Sequence, residues 1–239
     1  MLAATLFSTP SWAQDHVTVG LGTMVAPVHQ GADDYRIIPI PAIDIESGPI
    51  YANINDGVGF RVVNTPGVKI GGGVAIMPGY RHRDVPDGVD NLSFGAGARL
   101  SARFTTGSLI ATVGGTKGFA GSTKGFIADA SLSYLIVASP RLIFIPSIAT
   151  SWADRKHNDR YFGISAEEAQ ASGLGEFAPG KGFKDVSALV TATYRLNSRI
   201  SLTATGGVTT LVGDVQDSPL VVHKTQPLGI FSISYRLGR

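Results

Sequence analysis

The stretch Asn91-Leu-Ser-Phe-Gly-Ala-Gly-Ala-Arg-Leu-Ser-Ala-Arg-Phe104 decides the fold class. Leu92, Phe94, Ala96, Ala98, Leu100, Ala102 and Phe104 share one parity; Asn91, Ser93, Gly95, Gly97, Arg99, Ser101 and Arg103 share the other. A period of two belongs to a strand whose two faces meet different surroundings. A helix of this composition would scatter its polar residues around the whole circumference.

The same split recurs from Arg199 to Val212, where Ile200, Leu202, Ala204 and Val208 oppose Ser201, Thr203, Thr205 and Thr209. Working outward gives strands near 16–25, 36–46, 49–55, 57–63, 68–81, 90–104, 107–118, 124–138, 141–153, 184–197, 199–213 and 226–237. The division at Asn55-Asp56-Gly57 rests on Asp-Gly, which favours a tight hairpin turn. With it, short turns at Glu46–Gly48, Asn64–Gly67, Thr105-Thr106, Ser139-Pro140 and Asn197-Ser198 gather at one end. The long connections 26–35, 82–89, 118–124, 154–183 and 214–225 gather at the other. Short periplasmic turns, long outer loops and an even strand count describe an outer-membrane barrel.

Composition points the same way. Only 16% of the 239 residues are charged and 44% are hydrophobic, against about 25% charged in soluble domains. Yet the most apolar region, Leu132 to Trp152, is cut by Ser139-Pro140-Arg141, so it lacks the run of about 18 residues that a membrane helix needs. A closed barrel is the remaining way for such a chain to satisfy its backbone in lipid. The expected fold is an all-β, antiparallel up-and-down transmembrane barrel of about twelve strands in a Gram-negative outer membrane. Tyr80, Phe104, Phe126, Trp152, Tyr194 and Tyr235, near strand ends on the apolar parity, are expected to form interfacial girdles. Arg61, Lys69, Arg99, Arg103, Arg195 and Arg199 are expected on the lumen side.

Met1 to Phe7 is apolar, and Ser11-Trp12-Ala13 precedes Gln14 as a small-x-small cleavage pattern, without a basic n-region. Residues 1–13 are therefore expected to be a signal peptide shortened at its N-terminus, cleaved between Ala13 and Gln14, with 14–239 as one barrel domain.

Chemistry-bearing constellations are sparse. There is no cysteine, which excludes disulfides and thiolate nucleophiles. The five histidines, His16, His29, His82, His157 and His223, lack ligand spacing, and His82 and His157 have basic neighbours; all but His16 fall in loops and read as solvated loop residues rather than metal ligands or a fixed catalytic base. The pairs Asp33-Asp34 and Glu167-Glu168 read as loop charge, and Gly71–Gly73 and Gly118–Gly125 lack phosphate-loop spacing. No basic run interleaves with aromatics, so nucleic acid is not an expected partner. In the longest connection, Ser165-Ala-Glu-Glu168 predicts a helix N-cap and Gly173 its end, for one or two turns. No enzyme activity, cofactor or metal is expected.

Gly31-Ala-Asp33-Asp-Tyr35-Arg36 with Pro39 and Pro41, Trp152-Ala-Asp, Tyr161-Phe162-Gly163-Ile-Ser with Ser172-Gly173, and Leu-Val-Gly-Asp214 with Asp217-Ser218-Pro219 occur in this order, ahead of Tyr235-Arg-Leu. In these segments the chain resembles the MipA/OmpV family of outer-membrane proteins across nearly its whole length. It departs from that family at His29, Ala32 and Leu237, where an aromatic, a serine and a terminal phenylalanine are usual. The resemblance implies a scaffold that brings together a lytic murein transglycosylase and a murein synthase, in contact with outer-membrane lipid and lipopolysaccharide. Two further readings stand beside it: a small-solute channel made anion-favouring by Arg61, Arg99, Arg103 and Arg195, and an adhesin or receptor working through loop 154–183.

Overall fold

The computed structural model describes residues 15–121 and 123–237; the expected signal segment and its Ala13/Gln14 junction lie outside the described residues. Twelve antiparallel strands close into a barrel: β1 (His16–Pro27), β2 (Tyr35–Ser47), β3 (Ile50–Asn53), β4 (Gly57–Asn64), β5 (Val68–Met77), β6 (Gly95–Thr106), β7 (Leu109–Ala120), β8 (Phe126–Tyr134, continued by Ile136–Ser139), β9 (Leu142–Ala153), β10 (Gly182–Arg195), β11 (Ile200–Leu211) and β12 (Thr225–Leu237). Strand β8 is broken at Leu135, but both its parts pair with β9, so they make one position in the ring. The ring closes where β1 meets β12, from Val17 opposite Leu237 to Val25 opposite Gly229.

Register carries one parity around the wall. Arg99 lies opposite Gly73 on β5 and Thr116 on β7, and all three face inward with small or polar neighbours. The other parity holds Leu100 (73% exposed), Ile76 (81%), Leu21 (73%) and Ile37 (73%) on the outer surface. Burying such a side chain releases about 1.5–3 kcal/mol, so a belt of them is stable only against lipid. The greasy side of each strand points outward.

The Asp-Gly turn forms as the sequence predicts. Asn53 Oδ1 accepts from the Asp56 amide at 2.7 Å, and Gly57 has φ +77°. A Cβ there would stand 2.0 Å from the Val74 carbonyl oxygen, so both conformation and space require glycine. One consequence is a very short β3: β2 pairs with it only through Asp44–Ser47, and β5 pairs with β4 only up to Val74.

Strand β6 starts at Gly95, later than its alternation suggests. Leu92 instead bridges to Tyr80 above the wall. Both are buried, at 2% and 4% exposure, so neither faces lipid and Tyr80 is not a girdle residue. Alternation continued there because the hairpin itself continues. Phe104, Tyr194 and Tyr235 do lie exposed at strand ends, and Phe126 packs edge-on against Trp152.

Two helices cross the end that carries the long loops. Helix α2 (Ala166–Ser172) is the expected one: Ser165 and Glu168 form a capping box, and Gly173 ends it at φ +75°. Helix α1 (Arg155–Phe162) is a second helix, outside the segment where the sequence predicts one. Its cap is Asp154, whose carboxylate accepts from the His157 amide at 2.8 Å.

Candidate functional site

Inside the barrel a ladder of charges runs from β2 to β8. Glu46 pairs with Lys69 and lies 3.8 Å from Arg61. Asp56 accepts from Arg61 Nη2 at 3.2 Å and Arg99 Nε at 3.1 Å. Arg99 then grips Asp129 with both Nη atoms, at 2.6 and 3.0 Å, and donates to Thr116 at 3.1 Å. The Arg61 guanidinium also lies over the Tyr51 ring, 3.9 Å from its centroid, a favourable cation–π placement. Lumen-facing glycines make room: a Cβ on Gly114 would stand 2.5 Å from Arg99 Nη2, and one on Gly71 3.0 Å from Arg61 Cδ.

The lumen arginines therefore do not present free positive charge as a group. Arg61, Arg99 and Lys69 are matched by Glu46, Asp56 and Asp129. Arg103 faces inward below them, opposite Lys69 and Thr112. Arg195 and Arg199 stand exposed at the short-turn end. There Arg195, Arg199 and Arg236, with Asp44 and Asn197, line a cavity of about 330 Å³. Between Asp185 and Arg195 the opposite wall carries hydroxyls, with Ser187–Thr209, Thr191–Thr205 and Thr193–Thr203 pairs at 2.8, 2.8 and 3.2 Å.

At the other end, loops after β1, β5, β9 and β11 converge into a packed cap. Tyr80, Leu92, Tyr161, Phe162, Leu211 and Val215 form its core, with a second cluster of Val89, Ile164 and Leu220. Tyr161 meets Tyr80 edge-on at 5.4 Å and stacks on His157 at 5.8 Å. The segments that carry the family resemblance meet here. The Gly31 amide donates to Gln226 Oε1 at 2.7 Å, and its carbonyl accepts from Val222 and His223. Gly31 has φ +99°, and a Cβ would collide with Val221. Ser218 Oγ donates to the Phe162 carbonyl, and the Gln30 amide to Tyr161 Oη. Arg36 pairs with Asp84 at 3.0 Å, and Asp217 with Lys224 at 3.0 Å. Asp33 and Tyr35 are exposed, Pro219 follows Ser218 against the cap, Gly163 caps α1 through its amide to Asp159, and Trp152 stays on the wall.

A bulge at Ser151/Trp152 lets Lys184 and Asp185 both turn into the mouth. Gln30 joins them, accepting from Lys184 Nζ at 3.0 Å and donating to Asp185 at 3.2 Å. Burial overturns the solvated reading of two histidines. His29 is 7% exposed and His157 is 1% exposed. Desolvation, aided by nearby Lys184 and opposed by Asp154 and Asp185, pushes His157 down to about 4. Sequence reasoning also missed Asp129, although it shares the inward parity of Ser131 and Ser133 on β8. Among the described residues no cluster of three or more metal-ligating side chains occurs.

Residues 19–237 match the model of the family described as MltA-interacting protein MipA. A 115-residue segment is 24% identical to the "Putative outer membrane protein YiaT" of Escherichia coli strain K12, covering 48% of this chain and 46% of that protein; the match thus spans about half the relative's length. Among solved structures, the KdgM porin aligns over 91% of this chain and 98% of its own at 8% identity, with a TM-score of 0.47. The outer-membrane channel DcaP of Acinetobacter baumannii aligns over 94% and 96% at 9% identity, with a TM-score of 0.42.

Proposed function

The chain belongs to the MipA family of Gram-negative outer-membrane β-barrels, and from that premise we propose that it is a non-catalytic scaffold for murein enzymes rather than a solute channel. The observation that carries this reading is the cap. Side chains from loops after β1, β5, β9 and β11 lock together across the mouth, with Phe162 fully buried among them. A path for hydrated solutes would have to break this core and pass the charge ladder beneath it. The family's description names MltA, which fits a lytic murein transglycosylase as the partner, and a murein synthase joined to the same assembly is part of this proposal. Such enzymes would meet the barrel at its periplasmic end, where Arg195, Arg199 and Arg236 offer a basic concave surface to an acidic segment.

Photoreactive residues placed at Gly48, Gly107 and Ser198, on the short turns, test this in intact cells. Murein enzymes should be captured, and Arg195→Glu with Arg236→Glu should reduce the yield. Capture no different from an unrelated barrel, together with discrete conductance steps in a planar bilayer, would remove the scaffold and favour the channel.

A further inference from the structure

The short β3–β4 hairpin leaves a window in the wall. Above it, Tyr35–Ile43 of β2 and Ala75–Met77 of β5 have no strand on their facing edges. The seven residues from Ile37 to Ile43 span about 20 Å at strand rise. The Asn53–Gly57 turn forms the floor, and the Arg36–Asp84 ion pair crosses the top.

Behind the window lies an apolar cavity of about 240 Å³, lined by Met24, Ile38, Pro78, Phe94, Leu211 and Leu228 among others. Met24, Ile38 and Leu228 carry the inward parity of their strands, since Met24 lies opposite Ile38 and Leu228 opposite Gly207. Phe94 is 58% exposed on the outer surface. Inward Met24, Ile38 and Leu228 line it together with exposed Phe94, so the cavity reaches the level of the window, whose edges carry Ile37 and Ile76, 73% and 81% exposed. That outer surface is the face the barrel turns to lipid.

We propose that this side-opening cavity takes up the alkyl chain of an amphiphile drawn from the bilayer. The lining suits such a chain, and the unpaired strand edges beside it carry the lipid-facing Ile37 and Ile76, so a chain entering between them need not cross water. A partner's β-strand fits poorly. Pro39 and Pro41 share one edge of β2, proline is confined to unpaired edges, and neither can donate to an incoming strand. This inference does not depend on the scaffold reading.

The test uses the whole folded protein in phospholipid nanodiscs and two probes in turn: dodecanoic acid with a terminal diazirine, and a phosphatidylcholine with the diazirine in one acyl chain. After illumination, mass spectrometry locates the labels. Bulk lipid labels outward side chains such as Leu21 and Leu100; only an inserted chain labels inward Met24, Ile38 or Leu228. We expect inward labelling, lost in Met24→Trp, which fills the cavity, and kept in Ile37→Trp, which points outward; heat-modifiable gel mobility verifies that both variants fold. Inward labelling by the phospholipid probe identifies a membrane lipid tail, and inward labelling by the free acid alone identifies a fatty acid. Outward labelling only, with both probes, overturns the proposal, as does inward labelling that Met24→Trp leaves unchanged.

Discussion

Asp56 is the pivot of the lumen ladder, and replacing it by alanine should destabilise the whole barrel. Its carboxylate, 5% exposed, holds both Arg61 and Arg99. Removing it leaves two buried guanidinium groups, Arg61 with only the carboxylate of Glu46 at 3.8 Å and Arg99 with only that of Asp129 among the described residues. Breaking one side of a buried, hydrogen-bonded charge pair costs about 3–5 kcal/mol. Asparagine keeps the shape but not the charge. A charge-assisted hydrogen bond contributes about 1.5–3 kcal/mol against about 0.5–1.5 for a neutral one, so two such bonds predict a loss of about 2 kcal/mol for Asp56→Asn. Asp56→Ala combined with Arg61→Met should cost less than the sum of the single changes, because the second removes a cation that the first has stranded. Urea unfolding in phospholipid vesicles, followed by Trp152 fluorescence and by heat-modifiable mobility, measures the unaltered protein, the three single variants and the double variant. A loss under about 1 kcal/mol for Asp56→Ala, or strict additivity in the double variant, would show that the ladder is not a coupled network.

Three further outcomes are expected. His157 is held neutral: its pKa falls from 6.5 to about 4 on folding, so the unfolded cap binds the proton more readily. Cap stability is complete above pH 6.5, and about 3 kcal/mol is lost as the pH falls towards 4; protease cutting within 155–181 should rise over that window, and His157→Phe should flatten the dependence. Gln226→Leu removes the side chain that accepts from the Gly31 amide and donates to the Ala32 carbonyl; stranding these buried groups should cost about 1–3 kcal/mol each, seen as faster hydrogen exchange at Gly31–Asp34 with the wall unchanged. Gly31→Ala places a methyl 2.7 Å from Val221 at φ +99°, costs about 1–3 kcal/mol and should loosen the same loop; unchanged exchange would mean that the cap does not depend on this turn.

The wall was legible in the sequence because lipid and lumen impose opposite demands on neighbouring residues. Asn91 to Phe104 shows this directly, as does Asp56-Gly57, where backbone chemistry permits one kind of turn. Helix α2 was equally legible, since its cap and stop are local. What register alone decides was not. Asp129 lies 30 residues from Arg99 in the chain, and Asp56 lies 43 away, so no local pattern reveals that the arginines are neutralised. Burial of His157, Tyr80 and Leu92 depends on loops meeting from opposite sides of the mouth. Helix α1 hid because its cap, Asp154, follows directly on strand residues and its face is mostly polar.

The seam between β1 and β12 bears on how the protein is made. Val17 lies against Leu237, so the final pairing joins residues separated by nearly the entire sequence. Contacts so distant form late and slowly, and until they form the sheet has two raw edges and an uncovered greasy flank. Such an intermediate would aggregate in water. Biogenesis must therefore keep the polypeptide unfolded across the periplasm and complete the cylinder only within the bilayer.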